Sequence, residues 1–174
     1  TIWYDPLAEA RARLAAYGAL FDKADAAAAL DSALLARIEA LREAVQGKGN
    51  ALIVMTNGPK LSAYGRSTRF GWIHERLGLA EAFADLDPQV HGDAISFEFI
   101  AKVDPDWLIV VDRSAAIGQP ASVSATLDNP LVAGTKAAQA GRIVALSPAP
   151  VYIAAGGYSA LMTTLDELLA AFAG

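Results

Sequence analysis

The chain is 174 residues long, 54% hydrophobic and 19% charged, with a mean hydropathy of +0.32; it can bury a full core as a single domain and is not a disordered chain. Nineteen acidic residues against fourteen basic ones give a net charge of −5 and a pI of about 4.9, which argues against nucleic acid as a partner, because backbone binding needs a basic face. With no cysteine there is no disulfide, thiolate metal site or cysteine nucleophile, and no run reaches the roughly 18 apolar residues of a membrane span.

Pro6 follows Asp5 at a favourable first helical position. Leu7, Leu14, Tyr17 and Phe21 recur at helical spacing, which predicts a helix of about four turns. Residues 22–25 interrupt it. A second amphipathic helix runs to about Gln46 with Leu34, Ile38, Leu41 and Val45 on one face, and its alanine-rich start is strong helix propensity rather than low complexity. Residues 51–55 read as a short buried strand, Asn57-Gly58-Pro59 as a turn, and 61–64 as a second strand. After Gly65 come Arg66, Ser67, Thr68 and Arg69, then Phe70, Ile73 and Leu77 at helical spacing, with Gly78 placed to stop the helix.

Residues 81–87 are apolar and acidic, and 88–92 irregular, so His91 is expected on a loop before a short helix over about 96–102. Residues 107–111 are continuous and β-branched, as in a buried parallel strand, with Asp112 and Arg113 just past its carboxyl end. A loop over 118–124, a short helical piece opened by Asn129-Pro130, and a strand over 142–146 follow. Ser147-Pro148-Ala149-Pro150 is rigid, residues 151–154 come next, and Leu161, Leu165, Leu168 and Phe172 mark a final helix. Strands alternating with helices predict an α/β fold with a mostly parallel sheet flanked by helices.

In open α/β sheets ligands gather at the carboxyl ends of strands. Arg69, His91, Arg113 and Tyr152 each follow a strand or a strand-like run, so all four could face one rim, and two arginines there suit an anion. Ordinary alternatives exist for each. Arg113 could pair with Asp112, Tyr152 could be a strand aromatic with its hydroxyl satisfied, and a loop histidine is commonly solvated. His74, on a predicted helix, reads as a packing or capping residue, and Tyr158 is a nearby aromatic without a role. No GxxxxGK phosphate loop, dinucleotide fingerprint or G-x-S-x-G elbow is present, so an enzyme is the weaker class beside a binding or sensor domain.

Five blocks carry a resemblance: Tyr64–His74 (YGRSTRFGWIH), His91–Ile100 (HGDAISFEFI), Asp104–Arg113 (DPDWLIVVDR), Leu127–Lys136 (LDNPLVAGTK) and Tyr152–Gly157 (YIAAGG). In order and with few gaps, from about Leu7 to the end, the chain resembles the ferric-siderophore-binding proteins of ABC importers, nearest the catecholate branch. The resemblance implies a three-layer lobe preceded by a long interlobe helix: residues 1–22 the interlobe spine, 23–174 the C-terminal lobe. The family's N-terminal lobe has no counterpart here, and the chain starts at Thr1 without an initiator methionine, so a processed or partial product is expected; the alternative is a lobe that exists alone.

The resemblance further implies a non-enzymatic receptor, periplasmic or lipid-anchored outside a single membrane, with no permanent cofactor. A ferric catecholate siderophore is its transported ligand and a membrane permease its partner. Arg69 and Arg113 match arginines that line the anion pocket. His91 matches a histidine that ligates iron, and Tyr152 is expected to join it on Fe(III). Glu75 and Glu81 are the expected permease contacts.

Overall fold

Asp5 accepts hydrogen bonds from the Leu7 and Ala8 amides at 3.2 and 3.3 Å, and Pro6 fills the first turn, so helix α1 (Pro6–Leu20) starts where the sequence predicts. The structure is a computed structural model whose described residues are 5–86, 92–120, 123 and 127–174. Asp22, with φ of 53°, turns the chain so that α2 (Ala24–Val45) runs back along α1. Gly18 permits the contact, since a Cβ there would lie 2.6 Å from the Ala27 Cβ. The predicted stripe of Leu34, Ile38, Leu41 and Val45 is buried.

The strands are β1 (Asn50–Asn57), β2 (Lys60–Tyr64), β3 (Ala80–Glu81), β4 (Asp93–Ile95), β5 (Trp107–Asp112) and β6 (Ile143–Leu146). They form one sheet in the order β4-β2-β1-β5-β6, with β3 paired to the start of β1. β1, β5 and β6 are parallel, in register at Ile53 with Ile109 and at Ile109 with Val144. The β1–β2 and β2–β4 pairs are antiparallel. The sheet is therefore mixed, because the Gly58-Pro59 turn is too short for a crossover and can only return β2 antiparallel to β1.

Helices α3 (Trp72–Leu77), α4 (Phe97–Val103), α5 (Arg113–Ala116), α6 (Pro130–Ala133), α7 (Lys136–Gln139) and α8 (Tyr158–Phe172) cover the sheet. One face presents Ala51, Ile53, Trp107, Ile109 and Val111 to α1, α2 and α8; the other presents Leu52, Val54, Leu108 and Val110 to Ile100, Val132 and Ala137. Both faces are buried, which is why these strands read as unbroken apolar runs rather than alternating ones. Each wholly buried Leu, Ile or Val contributes roughly 1.5–3 kcal/mol, so a polar group at Ile53 or Val110 would threaten the fold itself. Among the described residues no helix is long and apolar enough to cross a membrane.

Helix α1 is half docked. Leu7 and Ala10 are buried in the core, whereas Tyr17, Leu20 and Phe21 are 56%, 72% and 65% exposed.

Candidate functional site

Three segments meet beyond the carboxyl ends of the central strands. The first is the loop 65–71 between β2 and α3. Buried Thr68 donates its hydroxyl to the Gly65 carbonyl at 2.5 Å, and the Gly71 amide donates to the Thr68 carbonyl at 3.1 Å. A Cβ on Gly71 would lie 2.8 Å from the Gly65 carbonyl and 2.9 Å from the Ser67 nitrogen, so only glycine lets the loop close on itself. Two carboxylates hold its outer side. Glu81 accepts from the Arg66 amide at 2.7 Å and from Arg66 Nε at 2.9 Å, and Glu75 accepts from the Ser67 amide at 2.9 Å. The Glu81 side chain is only 13% exposed. The two glutamates expected to face a permease are thus turned to this loop, and Arg66 is ion-paired.

The second segment is the wide helical turn Ala149–Ile153, in which the Ala154 amide donates to the Ala149 carbonyl at 3.0 Å. Buried Val151 anchors it, and Glu167 of α8 accepts from the Ser147 amide at 2.9 Å and from the Ser147 hydroxyl. Tyr152 therefore sits on a helical turn, not on a strand. The third segment is the start of α5. The Asp112 carboxylate caps this helix through the Ala115 amide at 3.1 Å and accepts from the Val123 amide at 3.3 Å.

Arg113 pairs with neither carboxylate oxygen of Asp112. Its Nε donates to the Tyr152 hydroxyl at 3.0 Å and a terminal nitrogen donates to Asn57 Oδ1 at 3.2 Å. Arg69 stacks on the same tyrosine, its guanidinium carbon 4.2 Å from the ring centroid, and donates to the Tyr152 carbonyl. Both predicted arginines and the predicted tyrosine are brought together. His91 lies outside the described residues. Its neighbour Gly92, at φ of 72°, is placed where a Cβ would be 2.9 Å from the Tyr64 ring.

Tyr64 and Asn57 are site residues that sequence reasoning passed over. Tyr64 is buried with its hydroxyl 3.7 Å from the Met55 sulfur. Burial, and next to it the neighbouring Tyr152, push its phenol up to about 12, against a weaker opposing pull from Arg69 and Arg113. It forms a neutral floor. Asn57 reads in sequence as turn chemistry and Tyr64 as a strand aromatic; only the fold shows that β1 ends opposite Arg113. His74 is buried in α3 with Nδ1 3.0 Å from the Leu79 carbonyl, the packing role its position predicts. Tyr158 lines a separate groove of about 470 Å³ with Ala10, Leu14, Tyr17 and Ile153, which neither arginine of the site reaches.

Arg69 and Arg113 have no carboxylate partner among the described residues, although Arg11, Arg37, Arg66 and Arg76 do. Both are held by neutral oxygens and a ring, so their charge remains available to an anion. Among the described residues no group of three or more His, Cys, Asp or Glu side chains could by itself hold a metal ion.

The profile of the family described as periplasmic binding protein matches residues 5–150. Petrobactin-binding protein YclQ of Bacillus subtilis is 34% identical over 119 residues, which is 68% of this chain and 38% of that protein. Its crystal structure superposes with a TM-score of 0.87 at 29% identity, covering 92% of this chain and 56% of that one. The siderophore-binding protein BauB, solved with two molecules of acinetobactin and ferric iron, superposes at 0.86 with 28% identity, covering 98% of this chain and 60% of that one. The periplasmic catecholate-siderophore binding protein VctP of Vibrio cholerae does so at 0.83 with 29% identity, covering 88% and 56%. This chain spans less than two thirds of the length of each of these proteins.

Proposed function

Because the chain belongs to the periplasmic binding protein family, we propose that it forms the C-terminal lobe and interlobe helix of a receptor that captures a ferric siderophore and hands it to the permease of an ABC importer. Residues 1–22 serve as the interlobe helix and 23–174 as the lobe, with an N-terminal lobe supplying the opposite wall of the cleft. The receptor works in the periplasm or tethered outside a single membrane, and it binds without turnover.

The observation that carries this reading is the convergence of Arg69 and Arg113 on Tyr152 with no carboxylate partner for either among the described residues. Ferric catecholates retain negative charge, and withdrawing them from water requires compensating cations. A guanidinium remains charged and presents several donors in a fixed fork. A bis-catecholate fills four of the six iron positions and leaves two for His91 and Tyr152; phenolate, a hard anionic oxygen, suits Fe(III) well. The Tyr152 hydroxyl accepts from Arg113 Nε at 3.0 Å, which fixes its oxygen at the rim beside both guanidinium groups.

The test is a fluorescence titration of the full-length protein with an iron-loaded synthetic bis-catecholamide and with a hexadentate tris-catecholate. Arg69→Gln and Arg113→Gln should each weaken both complexes by about tenfold, a discounted figure because the cleft is open. Arg37→Gln, which breaks only the pair with Asp166, should weaken neither. His91→Ala and Tyr152→Phe should weaken the bis-catecholate alone. Equal affinities across all five variants would end the reading. The permease contact assigned to Glu75 and Glu81 survives only if Glu75→Lys and Glu81→Lys lower iron uptake by cells further than their loss of siderophore affinity accounts for.

A further inference from the structure

Loop 65–71 carries Arg69 without any regular secondary structure to hold it, and it contains Ser67 at φ of 62°, a left-handed conformation unusual for a non-glycine residue. Something must hold such a segment in place. Two consecutive amides, of Arg66 and Ser67, point outward and are received by carboxylates from two different elements, Glu81 on β3 and Glu75 on α3. β3 is fixed by parallel pairing of Asn50 with Ala80 and Ala51 with Glu81, so one carboxylate is anchored to the sheet. The other is anchored to a helix whose Trp72, Ile73, His74 and Leu77 are buried. Glu81 also takes the Arg66 guanidinium. That removes the one other arginine of the loop from the rim and leaves Arg69 to face Tyr152.

We infer that Glu75 and Glu81 are positioning residues for anion capture: together they latch the backbone of residues 66–67, which fixes where Arg69 presents its guanidinium. The inference rests on the reading of Arg69 as a ligand-binding residue. Two carboxylates, each accepting a charge-assisted bond from a loop amide, restrain both peptide planes before ligand arrives. The cost of ordering Arg69 is then met in folding rather than in binding. Loss of either carboxylate should leave Arg69 intact but mobile.

The experiment compares wild type with Glu75→Ala, Glu75→Gln, Glu81→Ala and Glu81→Gln in the full-length protein. Two readouts need no ligand: amide hydrogen exchange at Arg66 and Ser67, and the NMR resonance of the Arg69 Nε–H. A third is affinity for the iron-loaded bis-catecholamide. Each alanine variant should accelerate exchange at its own amide, shift and broaden the Arg69 resonance, and weaken the probe about five- to tenfold. Glu75→Gln keeps an acceptor for Ser67 and should recover most of the loss. Glu81→Gln should recover less, since its amide cannot accept from the guanidinium with the same strength. Exchange at β5 amides, unchanged across the set, would show that the fold is intact. An Arg69 resonance indifferent to both alanine variants overturns the latch, whatever the ligand does. A moved resonance with unchanged probe affinity overturns its role in capture. Failure of wild type to bind the probe at all counts against the siderophore reading, while the two ligand-free measurements still decide the latch.

Discussion

Tyr152 serves the two arginines through different atoms: Arg69 uses its carbonyl and ring face, Arg113 its hydroxyl. Tyr152→Phe therefore removes one of the two bonds that hold Arg113, leaving that to Asn57 Oδ1, and spares both contacts of Arg69, whose stacking is worth about 0.5–2 kcal/mol. A different residue carries the clearest pH signature. Burial holds the His74 imidazole below the ordinary histidine range, with the Leu79 carbonyl opposing. The unfolded chain then takes up the proton first as pH falls, so this contribution to stability is complete above the free value of about 6.5 and is lost below it. Between about pH 7.5 and 5.5 the wild type should lose up to about 1.4 kcal/mol more stability than His74→Gln, measured by urea denaturation at both values; equal losses would show that His74 is protonated in the folded state. At this scale the sequence exposes charge and hides context. Arg69 and Arg113 stand out because cations just past strands need a reason. Asn57 and Tyr64 do not, because a turn asparagine and a strand tyrosine are satisfied by local explanations that hold equally well when the residue also faces a site.

Loop 65–71 and the turn Ala149–Ile153 are the two elements that present the site, and they differ in how legible they are. The loop is announced by Gly65, by Gly71 before α3, and by the αL stop at Gly78. Its closeness is not announced, because a contact of 2.8 Å from a Gly71 Cβ to the Gly65 carbonyl is a tertiary fact. Gly71→Ala should accordingly cost about 1–3 kcal/mol through backbone displacement and weaken anion binding more than Gly134→Ala, where the backbone is right-handed and a Cβ meets nothing closer than 3.5 Å. Thermal melts and the same titration check this, and a Gly71→Ala protein as stable and as tight as wild type would refute the account of loop closure. The turn at 149–153 escapes sequence reading for another reason. Five residues with two prolines nearby carry no periodicity, and a wide turn closed by a bond five residues back leaves no pattern distinct from an irregular loop. Helices α1 and α2, by contrast, are legible from Asp5-Pro6 and from a stripe repeated over about three turns, signals written several times over.

At the scale of the whole molecule the parallel half of the sheet is readable from its unbroken apolar strands, and the two-residue turn returns β2 antiparallel, while β4, three residues long, carries no pattern that announces its pairing with β2. The exposed Tyr17, Leu20 and Phe21 at the far end of the α1–α2 hairpin are compatible with the proposed interlobe role of residues 1–22. The arginines held by neutral partners also bear on kinetics. These 174 residues carry a net charge of −5 and by themselves disfavour an anionic complex at long range, yet in the proposed capture the incoming oxygens meet two guanidinium groups with no carboxylate partner among the described residues. Raising ionic strength from about 0.01 to 0.15 M shrinks the Debye length from about 30 to 8 Å and so acts on both fields. On the proposed reading the nearby cations dominate the final approach in wild type, and added salt should slow association measured by stopped-flow quenching. In the Arg69→Gln, Arg113→Gln double variant that attraction is removed, and added salt should slow association far less. A salt response of the same size in both proteins would mean that the two arginines hold the ligand without helping to draw it in.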